Sequence, residues 1–142
     1  DPEEEHDCFA DNTHNSHYYN AIGMQNVYLG RYVRTDGSVI KGPSVADLVA
    51  ANNADVDRET RAAIDGAVAA LGALKSRAET VERYDQMLAV GNDAGGQVVQ
   101  AAVDALIKQA RQFERGVAAL QLEAIAFEGS DSLDNPSLVG TE

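Results

Sequence analysis

Two long stretches, from about Asp55 to Arg83 and from about Ala94 to Leu122, repeat apolar side chains at every third or fourth position. That period matches one face of an α-helix and cannot be sustained by a strand. The first stripe is Ile64, Ala67, Val68, Leu71, Leu74, Ala78 and Val81, with Arg58, Asp65, Lys75 and Glu79 largely off it. The second is Val99, Ala102, Val103, Leu106, Ala110, Phe113, Val117 and Leu120. Gly91-Asn92-Asp93 breaks the chain between them, which predicts two long antiparallel helices joined by a short connection. Ala occurs 23 times and Pro only at positions 2, 43 and 136, so the rest of the chain also favours helix. Gly66, Gly72 and Gly116 on the stripes predict close approach of the helix axes.

The remaining elements follow from their caps. Asp1 reads as an N-cap, Pro2 as the first helical residue, and Glu3 and Glu4 as charges suited to the positive end of the helix dipole. A first helix is predicted from there to about Arg34, with Gly23 and Gly30 marking close helix contact and Arg31 and Arg34 offsetting the C-terminal dipole. Thr35-Asp36-Gly37-Ser38 is a turn signature. Ser44, with Asp47 three residues on, predicts the start of a short helix from Val45 to about Ala51. Beyond Gly129 the run Ser-Asp-Ser-Leu-Asp-Asn-Pro-Ser is polar, so residues 130–142 read as an extended tail. The expectation is an all-α helical bundle, one domain over residues 1–142, in which the two long helices are joined by a long N-terminal helix and a short one.

Charge narrows the function classes. The net charge is −12, and the acids gather at the ends, six in residues 1–11 and five in residues 123–142, with no base in either segment. A chain without a basic stripe gains little from displacing counterions, which argues against nucleic acid and anionic lipid as partners and favours a cation. Cys8 stands alone, so cysteine usage says nothing of the redox compartment. No apolar run approaches the length of a membrane span, and the start at Asp1-Pro2 reads as a processed or excised piece.

The first predicted helix is unlike the others. The stripe through Ile22 and Leu29 runs back through Tyr18, His14, Asp11, Asp7 and Glu4, so the face that ought to enter the core turns acidic. Asp11-Asn12-Thr13-His14-Asn15-Ser16-His17 also strings together residues of poor helix propensity. One reading is a metal site: Asp7, Asp11 and His14 stand at helical spacings of four and three, and carboxylate with imidazole suits iron or zinc. Glu4 and Asp7 would raise the local cation affinity, and Asn12, Tyr18 and Arg31 are candidate pocket-lining residues. His6 is a further candidate ligand, although it lies well around the helix from His14, and His17 falls off the Asp11 side. The competing reading is capping by acids and solvated imidazoles. Tyr18, Tyr19, Tyr28 and Tyr32 could line a pocket, supply an axial haem ligand, or pack in the core with hydroxyls at its rim. Cys8 beside acids would have its thiol pKa raised, which suits packing better than reactivity.

Four blocks of this sequence carry a resemblance: Glu3-Glu4-Glu5-His6-Asp7-Cys8-Phe9-Ala10-Asp11-Asn12-Thr13-His14, Asn26-Val27-Tyr28-Leu29-Gly30-Arg31-Tyr32, Gly42-Pro43-Ser44, and Glu128-Gly129-Ser130-Asp131-Ser132-Leu133. Together they resemble the C-terminal half of the imelysin family of iron-regulated proteins. The resemblance implies a periplasmic or outer-membrane-tethered lipoprotein of a Gram-negative cell envelope, linked to iron acquisition. It implies two helical-bundle halves with a metal or haem-iron site near their junction, and some members are described as metallopeptidases. The family's Gly-x-His-x-x-Glu motif lies in the other half. Here His6 is followed at that spacing by Phe9, His14 by His17 and His17 by Asn20. The N-terminal half is therefore the partner that the resemblance implies. An enzyme of this type would need ligands from it, because no His-Glu-x-x-His arrangement is present.

Overall fold

A computed structural model describes residues 5–123 of the chain. The residues placed there run as a 3-10 turn at Cys8–Ala10, then α1 (Thr13–Leu29), β1 (Arg31–Val33), β2 (Val39–Lys41), α2 (Val45–Asn52), α3 (Ala54–Thr80), α4 (Tyr84–Met87) and α5 (Asp93–Ala119). Helix accounts for 72% of the described residues, so the architecture is the expected all-α bundle with one small two-stranded addition. The predicted tail at 130–142, the Asp1-Pro2 cap and Glu4 lie outside the described residues.

Helices α2, α3 and α5 each start on a side chain that captures free backbone donors. Ser44 Oγ accepts the Asp47 N–H at 3.0 Å, as its spacing predicts. Asn53 Oδ1 accepts from Asp55 and Val56, both at 3.2 Å, and Asn92 Oδ1 accepts from Gly95 at 2.9 Å. Gly95 is also a point of close packing on α5: a Cβ there would lie 2.6 Å from Met87 Cα, so the α4 corner comes close to the helix backbone.

The long helices α3 and α5 run antiparallel. Glu59 near the start of α3 pairs with Arg115 near the end of α5, while Leu74 and Ala78 share a core cluster with Ala102 and Val98. α1 is antiparallel to α3 as well, since Tyr28 bonds Asp57 at one end, Gln25 bonds Asp65 in the middle, and a Cβ added at Gly72 would meet the Tyr18 ring at 3.5 Å. The core is in two parts. One gathers Ala21, Leu71, Leu74, Tyr84 and Met87, and the other Tyr28, Ala46, Val49, Val56 and Ile64.

The structure corrects five expectations. α1 begins at Thr13 and ends at Leu29; it does not run from Asp1 to Arg34. Gly30 stops it with φ +57°, and a Cβ at that position would fall 2.7 Å from the Gly42 carbonyl oxygen, so this glycine caps the helix where a helix contact was expected. The next residues form a hairpin that the helical reading missed. Arg31 pairs with Lys41, Tyr32 with Ile40 and Val33 with Val39, around the turn that the sequence did signal. α3 ends at Thr80, which leaves Val81 66% exposed and off the core. Of the glycines assigned to close packing, a Cβ added at Gly72 or Gly116 would meet a neighbour within 4 Å, whereas one added at Gly66 or Gly23 would meet none.

Candidate functional site

The acidic and imidazole groups of the N-terminal block are held in a compact turn ahead of α1. Asp7 is half-tied into it twice: its backbone N–H donates to Thr13 Oγ1 at 2.9 Å, and its carboxylate accepts the Ser16 hydroxyl. The 3-10 turn then ends on Asp11 in the left-handed region, with φ +47° and its N–H bonded to Cys8 O. This turn breaks the helical projection on which Glu4, Asp7, Asp11 and His14 would share a face. Asp11 Oδ2 instead pairs with Arg83 Nη1 at 2.7 Å, at the corner between α3 and α4. Arg83 also lines a polar cleft of about 400 Å³ with Glu79, Glu82 and Gln86.

His14 faces inward. It is 6% exposed, its Nε2 lies 3.1 Å from Asn15 Nδ2, and its Nδ1 has no hydrogen-bond partner among the described residues. Asn12 Oδ1 accepts from the same Asn15 amide at 2.9 Å. His6 and His17, which fit a shared helical face least well, are brought together with ring centroids 5.9 Å apart, and His17 meets Tyr84 edge-on at 6.0 Å. Burial, reinforced by the neighbouring His6, pushes the His17 imidazole below its ordinary pKa, while Asp7 acts in the opposite sense. Burial and the nearby Glu5 carboxylate raise the Tyr84 phenol. Glu5 Oε2 is buried without a hydrogen-bond partner among the described residues. Tyr84 and Arg83 belong to this cluster and were missed, and His17, set aside in the sequence as off the Asp11 side, joins it through its ring contacts, while Arg83 joins through the turn residue Asp11.

Tyr18 packs beside Tyr19 and against Gly72, on the bundle side of α1. Arg31 lies in β1, at the far end of α1 from Asp11. Among the described residues, no three His, Cys, Asp or Glu side chains are grouped so as to hold a metal ion. Asp7 is bonded to Ser16 and Asp11 to Arg83. The residues described here do not form a complete metal centre by themselves.

The block also leaves an apolar group open. Phe9, in the centre of the 3-10 turn, is fully exposed, with its whole ring in water. Farther along, Tyr28 is buried with its hydroxyl donating to Asp57 at 2.9 Å, and Arg61 closes the other side of that carboxylate at 2.8 Å. Among the described residues no helix is long and apolar enough to cross a membrane.

No curated protein matches the chain. The family model Peptidase_M75, described as Imelysin, matches residues 1–113, a span that takes in the Asp7–His14 turn, α1, the hairpin, α2, α3 and α5 as far as Phe113. The chain belongs to the imelysin family.

Proposed function

We propose that this chain is one half of an imelysin-like protein of the bacterial envelope that serves iron acquisition, and that the Glu5–His14 block lies against a second bundle half. Metal or haem iron would be held where the two halves meet, with His14 and the carboxylates of this block forming one wall. The second half, which the family resemblance equips with the Gly-x-His-x-x-Glu motif, would supply the rest of the donor set. The observation that carries this reading is Phe9, an aromatic side chain fully exposed on the turn before α1, where the Asp7 N–H and carboxylate are bonded back to Thr13 and Ser16. A large apolar group held out by a turn of this kind stabilises nothing in the isolated chain and is suited to burial against a partner.

The test is association of this chain with a polypeptide carrying the family's N-terminal half, followed by sedimentation. The two are expected to co-sediment, and Phe9→Asp is expected to weaken the complex by about tenfold or more, the scale of a central apolar anchor. Co-sedimentation that Phe9→Asp leaves unchanged would contradict the placement of the junction. Docking through this apolar contact should also persist in salt, whereas docking through the exposed acids alone would fade as ionic strength rises.

A second reading, a metal-dependent peptidase, is favoured by the family's title alone. It requires three ligands, an open coordination position and a general base, which this chain does not supply locally. Chelator-sensitive cleavage of an unfolded substrate by the paired halves would support it, and no cleavage with metal present would remove it.

A further inference from the structure

The β1–β2 hairpin is the element that the bundle explains least. It carries Arg31, Arg34 and Lys41 against a single acid, Asp36, and so is net positive within a strongly acidic chain. Arg31 and Lys41 are register partners, which sets two cations directly across from each other, an arrangement that repels when nothing lies between them. None of the three bases joins an ion pair among the described residues, whereas Arg58, Arg61, Lys75, Arg77, Arg83 and Arg115 all do. Tyr32, Val33, Val39 and Ile40 are between 43% and 51% exposed. The sheet has only two strands, so neither outer edge is paired with a strand among the described residues. A ribbon of this kind is marginal when isolated, and its unpaired backbone groups are a template for a further strand.

We propose that this ribbon receives an extended acidic segment of another polypeptide as a third strand. Backbone bonds along the free edge would supply affinity. The acids would neutralise the opposed Arg31 and Lys41, and alternate apolar side chains would cover Tyr32 and Ile40. A bilayer is the less suitable occupant, because the turn at Thr35–Ser38 presents polar residues with Asp36 among them and the chain as a whole repels anionic lipid. The hairpin stands beyond the far end of α1 from Phe9, about 25 Å away at the rise of an α-helix, so this surface is separate from the proposed junction.

The whole chain is titrated with a synthetic peptide of alternating glutamate and valine, with its lysine–valine counterpart, and with phosphatidylglycerol vesicles. Calorimetry and amide exchange are the two readouts. The glutamate–valine peptide is expected to bind and to slow exchange of the hairpin amides. Arg31→Glu combined with Lys41→Glu, with helicity unchanged, is expected to reduce its affinity by about tenfold or more. Four results would overturn the proposal: no binding and no protection with the acidic peptide, equal binding of the basic one, binding to vesicles alone, or self-association of the chain that protects the same amides.

Discussion

Gly30 and Tyr28, two residues apart, decide how α1 ends. The first permits the left-handed turn that sends the chain into the hairpin, with φ +57° and no room for a Cβ beside Gly42 and Pro43. The second anchors the last turn of the helix by donating its hydroxyl to buried Asp57, which Arg61 also holds. Burial and the bond to Asp57 raise the Tyr28 phenol from 10.0 to about 12. The folded state therefore keeps a proton that the unfolded chain releases, so the stability this group contributes is fully present below pH 10.0 and lost as the pH climbs toward about 12. Absorbance at the tyrosinate band should show tyrosines ionising late, Tyr84 among them, with Tyr28 the last, together with unfolding. Tyr28→Phe should remove that last step and cost about 1–3 kcal/mol at neutral pH, because Asp57 then loses a partner inside the core. A step at about 12 that survives in Tyr28→Phe would assign the shifted group elsewhere.

At the scale of elements, the long helices were legible because burial repeats along them. Ile64, Ala67, Leu71, Leu74 and Ala78 all lie in the core, at the positions the stripe assigned. Val81 continues the same period in sequence yet is exposed, because the helix has ended and the α4 corner begins. Leu74→Ala is accordingly expected to cost about 2–5 kcal/mol in chemical unfolding, as a cavity in a packed core does. Val81→Ala should stay within about 0.5 kcal/mol, as surface substitutions do. Equal losses at both positions would mean that the stripe, and not the observed helix end, governs packing. The hairpin was not legible, although its Asp36-Gly37 turn was. Its strands are three residues each and exposed throughout, so they leave no alternation of buried and exposed positions to read. The Asp7–Asp11 block was misread for a related reason. Its residues are poor helix formers, and the projection carried a helical period through a segment whose own chemistry turns the chain before Thr13.

For the whole molecule, that same turn redistributes the candidate ligands. Spacing on a helix would gather Asp7, Asp11 and His14 on one face, but the folded chain gives Asp7 to Ser16 and Asp11 to Arg83, leaving His14 buried with one free ring nitrogen. The family and the bundle could be read from the sequence; the commitment of each donor could not, because it depends on Arg83, which lies seventy-two positions beyond Asp11 along the chain. On the proposed function, this chain would hold metal only together with a second half. The direct measurement is calorimetric titration with ferrous iron and with zinc, first on this chain alone and then on the chain mixed with a half carrying the Gly-x-His-x-x-Glu motif. The account predicts no saturable one-to-one binding by the chain alone and such binding by the pair, weakened by Asp11→Ala with His14→Ala. Tight one-to-one binding by the isolated chain, abolished by that same pair of substitutions, would contradict it.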